Sequence, residues 1–247
     1  MKRAGVNVGE LLLERLKHDI VVGAYRPRQK LPVQELSKHY GVSAPSIREA
    51  LLRLTATGLI EANNQRGFSV APMSLRDLEE AAALRLLLEA EAMRQSFANG
   101  DAEWRANVVA AHHRLSEFES ALAAGEAVEM LDWKTADWQF HEALIAACPS
   151  DLLLRQHRSV FLQYLRYQVM IMAFKLNCGP DRHARLLSLA LDGDADAACD
   201  LLAEHIQGGL EDAKTSTAQE LLFGESRPRR PVARSVIDFR ALDRAGG

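Results

Sequence analysis

The run from Pro180 to Gln207, PDRHARLLSLALDGDADAACDLLAEHIQ, constrains the fold of this chain more than any other stretch. Apolar residues recur at helical spacing on both sides of Gly193-Asp194, which predicts two amphipathic helices joined by a tight turn. Gly193 can end the first helix, and Asp194 can cap the second. His183 lies 11 residues before Asp194 and His205 lies 11 residues after it. Antiparallel helices would therefore bring the two imidazoles to the same height.

A second helical segment, ADWQFHEALI, carries a carboxylate and an imidazole four residues apart, so that both lie on one helical face. Three imidazoles and one carboxylate on converging helices suit a transition metal held inside a bundle. The alternative is that these are ordinary core or surface side chains, as most helical histidines are. The candidate ligands are Asp137, His141, His183 and His205. We expect Zn²⁺ first, with Ni²⁺ or Mn²⁺ as alternatives.

The first 72 residues predict three helices followed by a β-hairpin. The helices are expected at 8–22, at 32–40 and from the capping residue Ser43 to Gly58, and the strands at 59–62 and 68–71. A short turn separates the second helix from the third. This order of elements is typical of a winged helix-turn-helix.

The rest of the chain reads as helix after helix, separated by Gly, Pro and Asn. The predicted helices are 74–98, 101–124, 126–148, 150–176, 180–192 and 194–222. The fold class is therefore mostly α. We expect a winged helix-turn-helix at 1–72, an all-α bundle at 73–223 and a flexible, Pro- and Arg-rich tail at 224–247.

Charge separates the two halves. Residues 1–72 hold 11 Lys/Arg against 6 Asp/Glu, whereas residues 73–247 hold 19 against 27. A basic module on an acidic body suits a head that binds a polyanion. No run of 18 apolar residues and no apolar leader occurs, so we expect neither a membrane span nor secretion. Three cysteines without CxxC spacing indicate a reducing cytoplasm.

The pattern GVS-x3-I-REAL-x-RL-x3-GLI followed by RG resembles the DNA-binding half of the GntR family of bacterial regulators, over about residues 8–72. The resemblance implies phosphate and base contacts from the start of helix three and minor-groove contacts from the wing. The implied DNA-binding set is Arg26, Lys30, Gln34, Ser43, Ala44, Ser46, Arg48, Arg66 and Gly67.

Two positions in that set depart from the family pattern. Ala44 stands where the family usually has a base-reading Arg, and Gln34 stands where some members have a second Arg. A bidentate Arg–guanine pair supplies about 1–3 kcal/mol of discrimination, so the usual operator cannot be assumed. The alternative is a winged helix that binds protein and carries a solvated basic face.

The segments LRLLLEAEAM and DWQFHEALIAA, with the His183/His205 hairpin, resemble the FCD effector domain of the FadR-type branch, over about residues 74–222. Members with this Asp/His set bind a metal ion beside a small carboxylate effector. The resemblance therefore implies the four residues above as metal ligands.

Arg85 and Glu89 match the Arg-x3-Glu of that domain, in which the Arg faces the effector pocket. The alternatives are a simple helix ion pair at i, i+4 and an Arg whose stem packs while its head stays in water. Arg158 and Arg166, eight residues apart on one long predicted helix, are further effector-binding candidates.

These observations favour a ligand-responsive regulator that binds operator DNA as a homodimer, with repression as the expected mode and a small organic acid as effector. One alternative gives the metal a purely structural role. Another is a metal-dependent hydrolase, against which stands the lack of a general base at a convincing spacing.

Overall fold

The computed structural model of the protein describes residues 8–63, 67–172 and 181–214. Within these ranges the chain is mostly helical with one small antiparallel sheet, as predicted. The elements are α1 (Val8–Val21), α2 (Val33–Tyr40), α3 (Ala44–Thr55), β1 (Ile60–Asn63), β2 (Gly67–Val70), α4 (Leu75–Asn99), α5 (Ala102–Ala123), α6 (Met130–Ile145), α7 (Asp151–Met172), α8 (Asp181–Asp192) and α9 (Ala195–Ala213). We call α1 to β2 the head and α4 to α9 the body.

The head is a three-helix unit with a two-stranded wing. Gly41 ends α2 with a positive φ of 67°, and Ser43 caps α3 by accepting a hydrogen bond from the Ser46 N–H. In the wing Ile60 pairs with Val70, and each strand lies one residue nearer to the turn than the strands predicted at 59–62 and 68–71. The tip at 64–66, which includes the predicted contact Arg66, lies outside the described residues.

The body is a bundle in which α4 packs against α7, α9 and α6, while α5 packs against α6 and α8. Trp133, Phe140 and Leu202 are among the side chains buried at its centre. Helix α6 thus lies inside the bundle against α4, α5 and α7.

Both predicted bounds of α6 are wrong. We expected a helix over 126–148, but it runs from Met130 to Ile145. Gly125 takes a φ of 75° and the Glu126 N–H bonds back to the Ala121 carbonyl, so the chain completes a turn after α5 before it enters α6. The predicted ends of helices seven and nine, and the tail at 224–247, lie outside the described residues.

The apolar core of the head does not stop at the head. Trp138 of α6 and Phe161, Leu165 and Val169 of α7 belong to the same buried cluster as the head side chains. The boundary at residues 72/73 therefore stays a prediction, and the two parts share one packed interface. No helix in the described part of the chain is long and apolar enough to cross a membrane.

Candidate metal centre and nucleic-acid interface

Four side chains from three helices meet inside the body. Asp137 and His141 lie one turn apart on α6, His183 lies on α8 and His205 on α9. One potential ligand atom from each lies within 4.8 Å of the other three. The α8–α9 hairpin turns at Gly193-Asp194 as predicted, and this turn places His183 and His205 side by side, with ring centroids 5.0 Å apart in an edge-on arrangement.

The outer nitrogens of two of the imidazoles are held by buried glutamates. His141 Nδ1 contacts Glu89 Oε1, and His183 Nδ1 lies 2.6 Å from Glu119 Oε1. Since an ionised carboxylate can only accept, each Nδ1 must donate, and Nε2 is the acceptor whenever the ring is neutral. In that form both Nε2 atoms present lone pairs toward Asp137.

Three buried atoms at the centre of this cluster have no hydrogen-bond partner among the described residues: Asp137 Oδ1, His141 Nε2 and His183 Nε2. Nε2 of His183 lies 3.1 Å and Nε2 of His141 3.7 Å from that oxygen, without the orientation of a hydrogen bond. A buried polar group left without a partner costs about 1–3 kcal/mol. Nitrogen and oxygen ligand atoms within 4.8 Å of one another suit a divalent transition metal, so these residues fit such an ion.

The electrostatics of the cluster also favour a cation. Burial opposes protonation of His183, but the carboxylates of Asp137 and Glu119 outweigh it and raise the pKa of this imidazole to about 9. Burial lowers the pKa of His141 and, with the neighbouring imidazoles, lowers the pKa of His205 well below its ordinary value. Without an ion, these carboxylates favour a proton on His183, and a bound cation would take the place of that proton. The other two rings are in the neutral form that ligates metals.

A buried guanidinium lies next to this cluster. Arg85 and Glu89 on α4 are both 0% exposed, and Arg85 Nε donates to Glu89 Oε2 at 2.8 Å. The guanidinium carbon lies 4.6 Å from the ring centroid of Phe161 and 4.9 Å from that of Tyr164. Nη1 of Arg85 has no hydrogen-bond partner among the described residues. The helix ion pair that the sequence allowed is present, but it is buried and leaves a donor free.

The other two predicted effector residues have partners elsewhere. Arg158 donates to Glu142 Oε1 at 2.8 Å, with its side chain 32% exposed. Arg166 donates from Nη2 to the carbonyl of Ala71, between the head and the body, at 2.7 Å. The structure thus brings Arg85 to the candidate metal cluster and gives Arg158 and Arg166 different contacts.

Three residues of the site were missed by sequence reasoning. Lys134 donates from Nζ to Asp137 Oδ2 at 2.9 Å, Glu119 holds His183, and His157 Nε2 lies 2.9 Å from Glu89 Oε2. Only the i, i+3 spacing of Lys134 and Asp137 could have been read from the sequence. His157 has no carboxylate or histidine partner at helical spacing in the sequence, because its partner Glu89 is 68 residues away in the chain.

The predicted DNA-binding residues lie at the surface of the head. The cationic candidates Arg26, Lys30 and Arg48 are exposed, as are Gln34, Ser43 and Gly67. Ala44 and Ser46 are partly buried at the start of α3, where Ser46 Oγ lies 2.8 Å from Ser43 Oγ. The head thus presents basic side chains on α3 and on the segment before α2, which suits contact with phosphates.

A winged helix-turn-helix joined to an all-helical body is the architecture of a DNA-binding regulator. Two family models match the chain: bacterial regulatory proteins of the gntR family over residues 10–70, and the FCD domain over residues 80–208. The chain belongs to the GntR family of transcriptional regulators and carries an FCD domain. It is a DNA-binding regulator rather than an enzyme, which removes the hydrolase alternative.

Two named relatives agree with this assignment. The chain is 39% identical over 206 residues to the HTH-type transcriptional regulator BphR of Paraburkholderia xenovorans, covering 81% of this chain and 83% of that protein. It is 31% identical over 197 residues to the HTH-type transcriptional repressor GlaR of Escherichia coli, covering 77% and 89%. Among solved structures, E. coli McbR/YncC matches with a TM-score of 0.69 at 21% identity, over 83% of this chain and 96% of that one. This last likeness concerns the fold alone.

Proposed function

We propose that this regulator is a homodimeric repressor whose binding to operator DNA responds to a small organic acid held beside a divalent metal ion. One observation carries the proposal: Asp137 Oδ1, His141 Nε2, His183 Nε2 and Arg85 Nη1 are buried together without hydrogen-bond partners among the described residues. A cation would satisfy the first three atoms, and a carboxylate would satisfy the fourth.

In this proposal Asp137, His141, His183 and His205 hold the metal. When bound, the ion supplies a positive charge that attracts a carboxylate oxygen. Arg85 donates from Nη1 to the acid, and the ion pair with Glu89 fixes the plane of its guanidinium. Zn²⁺ suits three nitrogens and one oxygen, with Ni²⁺ and Mn²⁺ as alternatives.

A homodimer would place two heads on the two half-sites of a pseudo-palindromic operator. Leu84 and Leu87 on α4 are 44% and 67% exposed, which supports this face of α4 as a dimer contact. Repression is supported by the name of the relative GlaR. We expect the protein to act in the cytoplasm. Sedimentation of the wild type and of Leu87→Glu tests the dimer, which the charge should weaken.

The central experiment loads the protein with metal and then presents acids to it. Full-length protein stripped with a chelator is reloaded with Zn²⁺, Ni²⁺ or Mn²⁺, and the bound metal is counted by elemental analysis. A thermal-shift screen follows with mono-, di- and tricarboxylates. We expect one ion per chain and one class of acid that raises Tm by roughly a few degrees. Arg85→Met should abolish the acid response, while Arg158→Met should keep it.

The DNA half uses fluorescence anisotropy with duplexes tiled across the DNA that flanks the gene of this regulator. The acid that raises Tm should weaken binding to one of these duplexes, and the duplex should weaken binding of the acid by the same factor. Failure to retain any of the three metals would end the metal proposal. A stripped body that melts, with acid binding unchanged after partial reloading, would instead assign the metal a structural role.

A further inference from the structure

Helix α7 presents two sets of side chains to two different parts of the molecule. The first set, His157, Phe161 and Tyr164, follows i, i+4, i+7 spacing and lines the buried Arg85–Glu89 pair. The second set, Gln163, Arg166 and Tyr167, contacts the backbone of the head and of the linker that leaves it. One helix therefore connects the proposed effector site to the DNA-binding head.

The second set makes three hydrogen bonds, each to a different backbone group. Gln163 Nε2 donates to the carbonyl of Thr57, in the turn that follows α3, at 3.0 Å. Arg166 Nη2 donates to the carbonyl of Ala71 just after β2 at 2.7 Å, and the Ser74 N–H donates to the hydroxyl of Tyr167 at 3.2 Å. Bonds to main-chain atoms fix the path of the chain independently of the side chains it carries. We call these three α7 residues the clamp.

Gly58 makes the first of these contacts possible. Its φ is 72°, and a Cβ built there would lie 2.8 Å from Nε2 of Gln163. Any other residue would be strained at that φ and would also push Gln163 away from Thr57. The head thus has a residue without a side chain at the point where Gln163 of α7 contacts it.

Apolar contacts run parallel to the clamp. Phe161 lies beneath the Arg85 guanidinium and also belongs to the buried cluster that includes the head core. Trp138, next to the candidate ligand Asp137, packs on Phe161 with ring centroids 3.7 Å apart and stacks on His157 at 5.5 Å. A displacement of Arg85 would therefore displace Phe161, which packs directly against the head core.

We infer that Gln163, Arg166 and Tyr167 are positioning residues for DNA binding, which lock the head onto the body and make its orientation depend on the proposed effector site. The second half of this inference rests on the proposed function, and the first half does not. The apolar contacts of Phe161, Leu165 and Val169 hold the head against the body. The three hydrogen bonds to the backbone are directional, so they set how the head is oriented on that apolar interface. The orientation of the head in turn sets the spacing of the two recognition helices in a dimer.

Hydrogen–deuterium exchange on the full-length protein tests the clamp in the absence of metal. The test variant combines Gln163→Leu with Tyr167→Phe, which remove one donor and one acceptor and leave the stems in place. The control is Gln156→Leu, an exposed position on the same helix. We expect exchange in peptides that cover 56–60 and 71–75 to be roughly ten-fold faster in the test variant. Peptides within α1 and α9 should keep their wild-type rates, as should every peptide of the control.

The second arm adds Zn²⁺ alone. In the wild type, loading should slow exchange at 56–60 and 71–75. In the test variant this response should vanish while the bound zinc, measured by elemental analysis, stays the same. If Gln163 and Tyr167 only stabilised the fold, the test variant would keep the slower exchange on zinc loading.

Unchanged exchange at 56–60 and 71–75 in the metal-free test variant would overturn the clamp. A zinc response of equal size in the wild type and the test variant would overturn the link to the buried site. If the wild type binds no zinc, the proposed metal site fails, and the metal-free arm still decides whether the clamp holds the head.

Discussion

The head and the body place their functional groups in opposite environments. The cationic candidates of the head, Arg26, Lys30 and Arg48, are exposed to solvent. In the body, Arg85, Glu89, Asp137 and His141 are each 0% exposed. A surface cation is hydrated and contributes little to folding, whereas a buried ion must be compensated by its neighbours. The predicted cationic DNA contacts are therefore separable from stability, whereas the proposed ligand site is part of the core.

The buried charges of the body are paired with one another around Glu89. Glu89 accepts from Arg85, contacts His141 and lies within hydrogen-bond distance of His157. Burial alone would raise the pKa of Glu89, but Arg85 and the imidazoles hold it well below its ordinary value. Glu89 is therefore ionised at neutral pH, and the removal of any partner leaves part of that charge uncompensated.

The largest expected effect is that of Arg85→Met. The change leaves the Glu89 carboxylate buried without its cation, which typically costs about 3–5 kcal/mol of unfolding free energy. The matched change in the head, Arg48→Met, should alter stability by no more than about 0.5 kcal/mol. Urea unfolding of both variants, followed by circular dichroism, measures the difference. Equal losses in the two variants would remove the contrast between head and body.

Next in size is the effect of Glu119→Gln on metal affinity. Glu119 fixes the ring of His183 through Nδ1, and the loss of such an outer partner typically weakens metal binding by about 10–100-fold. The control is Glu117→Gln on the same helix, because Glu117 is 68% exposed. Competition between the protein and a coloured chelator for Zn²⁺ gives both affinities. If the control loses as much affinity as Glu119→Gln, the effect is one of net charge and not of ring orientation.

More of the structure of the head than of the body site could be predicted from the sequence. Its order of helices and strands follows from local sequence signals. Examples are Ser43 as a cap, Pro45 in the first turn of α3, and Gly41, which can take the positive φ that ends α2. The candidate metal residues were also within reach, because Asp137 and His141 share a face and the hairpin at Gly193 is local. What these signals specify is the position of a side chain along its own helix.

The partners of those side chains could not be predicted. Glu119 lies 64 residues from His183, and Glu89 lies 68 residues from His157, so that only the packing of different helices joins them. The shared core between head and body was missed for the same reason. Phe161 and Trp138 read as ordinary apolar positions on their helices, and nothing local indicates that they pack against the head.

A smaller effect tests whether head residues near the DNA also have a structural role. Ser43 is a predicted DNA contact, and its hydroxyl accepts from the Ser46 N–H at the start of α3. Ser43→Ala should therefore lower stability by about 1 kcal/mol, whereas Ser43→Asn keeps a capping group and should lose much less. Thermal unfolding of both variants decides the matter. If Ser43→Ala leaves the stability unchanged, the DNA-facing residues of the head are not needed for folding.

The smallest expected effect is that of single surface cations on the salt dependence of DNA binding. Arg48 and Arg53 both lie on α3, but Arg53 forms a two-bond ion pair with Glu10 of α1, at 2.7 and 3.3 Å. An arginine that contacts a phosphate contributes about 0.9 to the slope of log affinity against log salt. Arg48→Met should therefore reduce that slope by about this amount, and Arg53→Met should change it by less, because the charge of Arg53 is already neutralised within the head. Anisotropy titrations from low to moderate salt, on one duplex, measure both slopes. A larger change in slope for Arg53→Met than for Arg48→Met would mean that the ion pair between Arg53 and Glu10 opens on DNA. The head would then rearrange when it binds DNA, in contrast to the fixed packing of the body.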